Sequence, residues 1–362
     1  MGTEVSVVAP KNNKITRKYH SVFDSYLPRR PVCDGQGAFL QSELELIDPQ
    51  LHAPLAWVTY PQDAVNRQGF NIDVEFASWT NSNFGSNGGS NGGKNWIGME
   101  SNDQEEIAVS IEKQVNVPGI WSKAASWTFP ELSRSAKLGR PIDVDKLDAI
   151  QRDYNLQVDN QFYLGDPSKK LFGIANASAA DGNTADWAVT QNANLVTGGW
   201  LALIASNPTT AGDIILADLA ALDQQVWANS SYTSPATKFL IPSSVWRCLI
   251  VPLAISGVPI AMSVKDYFET TGSISASMGG PCRLAPRKWL NHVLTGNGFG
   301  NTLSTNRIVA YNDSEEYIRF EQGPLIATPV EVRGIRQKVT YYGALGGIEI
   351  LYPSTVGYGN GA

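Results

Sequence analysis

The sequence is poor in the residues that most enzyme chemistry requires. It has three histidines in 362 residues (His20, His52 and His292), and none has a Glu or His at the spacing of a zinc-binding helix. Its three cysteines (Cys33, Cys248, Cys282) are odd in number and share no metal-like spacing, so reduced, packed thiols are expected. No apolar run approaches the length of a membrane span, and the N-terminus carries no apolar signal core. Positive charge is in deficit: 28 Lys and Arg face 34 Asp and Glu, for a net charge of −6. A dedicated nucleic-acid binder would carry the opposite excess to neutralise phosphates.

Sequence motifs for catalysis are missing as well. No Gly-x-Ser-x-Gly elbow occurs, and no Gly-x-Gly-x-x-Gly follows a strand pattern. Gly88, Gly93 and Lys94 match the spacing of a phosphate loop, but Asn95 stands where the magnesium-binding Ser or Thr belongs. The residues after it do not open a helix, so its N–H groups would not converge on a phosphate. Ser110 and Lys113 have Ser-x-x-Lys spacing inside a strand-like run, without companion motifs. No catalytic, cofactor-binding or metal set is therefore expected. The ten tryptophans are scattered, as core or interface anchors are.

What is present is a series of structural parts. A hydrophobic fraction of 43% over 362 residues suffices for two domains and a large core. The chain is organised around residues 143–164, which contain no Gly or Pro. Leu147, Ile150, Tyr154, Val158 and Phe162 recur at the spacing of one helical face, so a long amphipathic helix is expected with that side on a sheet. Asp143 is its expected N-cap, and Gly165 followed by Pro167 ends it. Asp148, Gln151, Arg152, Asn155 and Asp159 form the opposite, polar face.

Residues 69–120 are expected to form an extended hairpin. Ile72, Val74 and Phe76 alternate with Asp73 and Glu75, and Ile107, Val109 and Ile111 alternate again. Between the two runs lies a Gly/Asn/Ser tip that cannot bury a core. Two isolated strands are marginal in water, so either the tip is disordered or a partner subunit supplies the missing surface. Residues 1–40 form a polar arm with a basic excess, either a solvated tail or an arm that lies on neighbours or a polyanion. A short helix is expected over residues 36–48.

Beyond the long helix, residues 201–305 alternate strand and helix patterns and suggest a compact α/β domain. Ile215, Leu219, Leu222 and Val226 share one helical face there, and Thr210 with Asp213 has capping-box spacing. Ser263 with Asp266 opens a further short helix. From residue 306 the chain is strand-rich, and these last strands are expected to return to the sheet under the long helix. The fold class expected is α+β.

The order of these parts resembles the major capsid proteins of tailed bacteriophages, whose shell fold (the Hong Kong ninety-seven type) is shared with encapsulins. The residues that carry the resemblance are Leu132–Leu147 leading into the long helix, Gly165–Asp166, Gly173–Asn176 and the closing Gly346–Gly361. The resemblance implies an N-terminal arm (1–40), the start of a peripheral domain (41–68) and an extended loop over a neighbouring subunit (69–120). It further implies a peripheral domain with a spine helix (121–200), an axial domain (201–305) and returning peripheral strands (306–362). Trp79, Phe84, Lys94 and Trp96 become the expected inter-subunit contacts. One relative of this fold joins a loop Lys to a neighbour's Asn; Lys94 lies at the tip, but nothing identifies an acceptor. The implied partners are copies of the chain itself in pentamers and hexamers, with portal, scaffolding and decoration proteins, around a DNA genome and without a membrane. The arm is too short for a fused scaffolding domain, so a separate scaffold is expected. An encapsulin-like compartment is the second expectation, and a monomeric hydrolase or glycan-binding β-protein the third.

Overall fold

The structure is a computed structural model that describes residues 5–8, 14–17, 57–86, 107–138, 142–185, 187–189, 191–194, 199–255, 258–292, 303 and 305–361. By chain contacts it divides into two units, Met1–Leu55 and Ala56–Ala362. In the first unit, β1 (Val5–Val8) and β2 (Lys14–Arg17) pair antiparallel, with Val5 opposite Arg17. The expected helix over residues 36–48 lies outside the described residues.

The second unit begins with β3 (Val65–Asn66), β4 (Ala77–Ser86), β5 (Ile107–Asn116) and β6 (Gly119–Thr128). Helices α1 (Phe129–Leu138) and α2 (Ile142–Tyr163) follow. Two-residue strands β7 (Gly165–Asp166) and β8 (Leu171–Phe172) close a turn, and β9 is Gln191–Asn194. Then come α3 (Gly199–Ser206), α4 (Ala211–Asn229), β10 (Lys238–Pro242), β11 (Pro252–Ile255) and β12 (Val258–Ser263). Short helices α5 (Val264–Tyr267) and α6 (Ile274–Ser277) lead to β13 (Arg283–Arg287) and β14 (Arg307–Tyr311). The chain ends with β15 (Ile318–Gln322), β16 (Ile326–Ala327), β17 (Glu331–Arg333), the long β18 (Arg336–Ile350) and β19 (Val356–Asn360).

Helix α2 is the expected spine. Ile150, Tyr154, Val158 and Phe162 are buried, whereas Asp148, Gln151, Arg152 and Asn155 are exposed. The helix starts at Ile142, so Asp143 lies inside its first turn and not before it as an N-cap. It ends where expected. Gly165 takes φ +63°, and a Cβ there would collide with the carbonyl of Leu171. Asp159 departs from the polar-face reading, because it is fully buried. Its Oδ1 accepts from the backbone N–H of Thr59 (2.8 Å) and of Tyr60 (2.9 Å), and its Oδ2 from Trp289 Nε1 (2.5 Å). The spine thus clamps the 57–63 turn from one side. Asp63 in that turn, also buried, is held from the other by Arg287 (2.5 Å to each oxygen) and Lys238 (3.1 Å).

Two sheets carry the core. In one, β18 pairs antiparallel with β15, β16, β17 and β6, and β3 joins β15 in parallel. Strand β6 is a long strand that the sequence reading did not single out. Trp121, Ala125 and Trp127 alternate with Ser122 and Ser126, and ten residues of β6 pair with β18. Helix α1 was also unforeseen. Thr128 Oγ1 accepts from Glu131 N (3.3 Å) while Glu131 Oε2 accepts from Thr128 N (3.2 Å), a reciprocal capping box. The box expected at Thr210 and Asp213 does not form, since Thr210 makes no side-chain cap bond. The one at Ser263 does, with Asp266 N donating to Ser263 Oγ at 3.1 Å.

The second sheet has the order β13-β10-β14-β19-β9 and separates two cores. Leu240, Val309, Tyr311 and Tyr358 face the spine residues Val158 and Phe162. Phe239, Ile241, Ile308 and Ala310 face Ile215, Leu219, Leu222 and Val226 of α4. A sheet covered on both faces needs apolar side chains at consecutive positions, which is why β10 and β14 are continuous apolar runs. This sheet draws β10 and β13 from residues 201–305 but β9, β14 and β19 from outside them. The closing strands therefore divide: β15 to β18 join the sheet with β6, whereas β14 and β19 join the one with β10.

Candidate functional site

The hairpin is built from β4 and β5, in register from Ala77 opposite Asn116 to Ser86 opposite Ile107. It starts later than its sequence pattern suggests. Residues 72–76 are not a strand; Ile72 and Val74 pack beside Phe70, Ala77 and Ala344, while Phe76 is exposed. Among the described residues β4 and β5 pair only with each other, so both outer edges of the ribbon leave backbone groups unpaired.

The two faces of the ribbon differ. On one, Trp79 is 7% exposed and its ring meets Trp187 at 6.0 Å. Trp79 is therefore not free to anchor a neighbour, as the sequence reading proposed: it seats the ribbon in the chain's own core. At the same root, Asn81 Nδ2 donates to Leu351 O (3.2 Å) and Arg67 Nη2 to Ser78 O (3.1 Å). On the opposite face Val109 and Ile111 are 54% and 71% exposed, and Val115 shares that face. Val117 and Ile120 extend the apolar surface beyond the strand. Phe84 is paired with Val109 by the strand register; its side chain, Lys94 and Trp96 lie outside the described residues, as do Gly88 to Asn95.

Ser110 and Lys113 are exposed residues three apart on a strand, hence on opposite faces, which breaks the Ser-x-x-Lys reading. Cys248 and Cys282 are buried free thiols, and burial pushes Cys282 up to about 12. Among the described residues no three His, Cys, Asp or Glu stand close enough to hold a metal ion. No described helix is long and apolar enough to cross a membrane. Asn176, at an Asn-x-Ser triplet, is buried: its Oδ1 accepts from Gly173 N (2.8 Å) and its amide donates to Leu164 O. It closes the end of the spine.

A long spine helix over one sheet, a second sheet between two cores and a ribbon that leaves the body together define a capsid shell fold. The chain is similar to the capsid of Myoviridae Phage XM1, with 18% identity and a TM-score of 0.68 over 90% of this chain and 100% of that one. It is similar to the capsid of a native GTA particle, with 14% identity and a TM-score of 0.55 over 88% of this chain and 96% of that one. It is also similar to a structure from Mycobacterium phage Ogopogo, with 11% identity and a TM-score of 0.50 over 90% and 100%. No curated protein sequence matches it. The chain belongs to the major capsid protein family, whose pattern matches residues 92–362. Its function is accordingly that of a shell subunit, and its place is the virion.

Proposed function

We propose that the chain builds the icosahedral head of a tailed phage, closing into pentamers and hexamers around double-stranded DNA. The observation that carries this reading is the ribbon of β4 and β5, with its apolar stripe of Val109, Ile111 and Val115 exposed and no third strand among the described residues. A two-stranded ribbon gains stability when a further surface covers it. The next copy supplies that surface, in contacts that close into rings. Phe84, Lys94 and Trp96 make the outer contacts at the tip, and the Gly-rich sequence between the strands lets backbones approach closely at non-identical positions. Residues 201–305 supply the loops around the ring axes, and residues 1–40 lie on neighbours, scaffold or genome. A net charge of −6 suits a wall that must not hold DNA tightly. Portal, scaffolding and decoration proteins complete the particle, and the chain itself catalyses nothing.

The test is deletion of residues 84–95. The shortened chain is expected to stay folded and soluble while its particles dissociate at lower denaturant than those of the full chain. Particles of unchanged stability would remove the ribbon from the assembly contacts.

A further inference from the structure

At the root of the ribbon two buried carboxyls share one space. Glu321 on β15 and Glu349 on β18 are 0% and 1% exposed. The pairing of β15 with β18 shifts register between Phe320 and Gln322, so that Gly346 and Gly347 both fall opposite Glu321. Glycine is required at 346, because a Cβ there would collide with the Glu321 carboxyl. Glu321 Oε2 accepts from Gly347 N (3.2 Å), and its Oε1 from Asn116 Nδ2 (3.3 Å), the last residue of β5. Arg67 pairs with Glu349 and stands 4.0 Å from Glu321, while its Nη2 holds Ser78 O of β4 (3.1 Å). Each strand of the ribbon is thus tied to the body through this cluster.

The charges close only with a proton. Among the described residues Arg67 is the cation that faces the pair, and the ribbon brings the uncharged Asn116 and the Ser78 carbonyl. Two ionised acids against one guanidinium would leave a buried net negative charge, which is costly. Arg67 Nη1 reaches both acids, so the two carboxyls face one another across a single cation. Glu349 Oε2 is buried without a hydrogen-bond partner, which leaves a place for that proton.

We propose that Arg67, Glu321 and Glu349 form a proton-held hinge lock: one proton between the two carboxyls seats the ribbon at a fixed angle for docking on the next copy, and loss of the proton opens the seat. The lock stands on its own geometry; its consequence for assembly rests on the reading of the ribbon given above. Burial, with Glu349 alongside, pushes Glu321 up to about 9 from an ordinary 4.5. A raised carboxyl contributes stability that is fully present below its ordinary value and is lost as pH rises through the raised one. The seat is therefore tightest in acid, loosens steadily as pH rises, and is at its weakest above about 9.

The experiment is hydrogen exchange on the full-length protein, as protection factors corrected for intrinsic rates, from pH 7 to pH 10. Amides at the ribbon root (residues 77–81 and 112–116) are expected to lose protection by about tenfold per pH unit as pH rises toward about 9 and to level off above it, since only between the two values does the closed form hold a proton that the open form lacks. Amides of Phe239–Ile241 serve as the reference. Glu321→Gln, which stays neutral and can still accept from Asn116, is expected to give a flat profile. A flat wild-type profile, or the same loss in Glu321→Gln, would overturn the lock. Infrared spectroscopy needs no variant. The C=O band of one protonated carboxyl is expected at pH 8 and gone by pH 10, and its absence at pH 8 would equally overturn the proposal. If the root opens but assembled particles do not respond to pH, the lock stands and the inter-subunit reading of the ribbon falls.

Discussion

Trp79 and Trp187 meet edge to face with ring centroids 6.0 Å apart, and this contact roots the β4–β5 ribbon in the body of the subunit. Trp79 is therefore a folding residue. Trp79→Ala is expected to cost roughly 3–5 kcal/mol of subunit stability, the range for a buried Trp truncation. Because Trp79 Nε1 is buried without a hydrogen-bond partner, Trp79→Phe should cost less. Urea unfolding of unassembled subunits checks both; equal losses would argue against the orphaned N–H.

Ile111 tests the opposite face of the same ribbon. It is 71% exposed, so Ile111→Lys should change subunit stability by no more than about 0.5 kcal/mol. In the assembled shell the same change would bury a charge against the neighbour. The expected outcome is normal folding with a sharp loss of particles by sedimentation and electron microscopy. Normal particle yield would show that this stripe faces solvent in the shell.

Asp159 separates a buried carboxylate from its solvated neighbours on the spine. Asp159→Ala removes the acceptor of the Thr59 and Tyr60 N–H groups and of Trp289 Nε1, and removes the carboxylate 3.5 Å from Lys288. A loss of roughly 3–5 kcal/mol is expected, as for one half of a buried ionic network. Asp148→Ala, three turns away on the same face and exposed, should stay within about 0.5 kcal/mol by the same unfolding measurement.

Asp223 on α4 gives a pH signature distinct from the hinge lock. Burial pushes it up to about 6, opposed only in part by the bond from Ile274 N (2.7 Å). A raised carboxyl stabilises most below its ordinary value of 3.8, and that contribution is lost as pH rises through about 6. Asp223→Asn should therefore remove a downward slope in stability between pH 4 and 6. Urea midpoints measured against pH for both proteins check this, and a wild-type stability that rises relative to the variant would reverse the sign.

Much of the fold was legible in the sequence. The apolar faces of α2 and α4 stand at helical spacing, and both are buried as expected except at Leu147, which is half-buried near the start of α2. The fully buried strands β10 and β14 were visible as continuous apolar runs. Strand β6 was legible in principle, since tryptophans and alanine alternate with serines from Trp121 to Trp127. So was α1, whose Thr-Phe-Pro-Glu start carries both a capping box and an early proline. The ribbon could be foreseen, but Trp79 was misjudged as an outward anchor. Its partner Trp187 lies more than a hundred residues away, and no local pattern announces it.

By itself the sequence determined what is repeated locally: the spine and its glycine stop, the ribbon and the apolar helix faces. These follow from spacing, because a side chain's face is set by its neighbours three or four residues along a helix, or two along a strand. Only the tertiary structure decided which strands lie side by side, why Asp159 is buried and how Glu321, Glu349 and Arg67 come together. Pairing and protonation depend on groups brought together from distant parts of the chain, and the dielectric that sets their energies exists only once the core has closed.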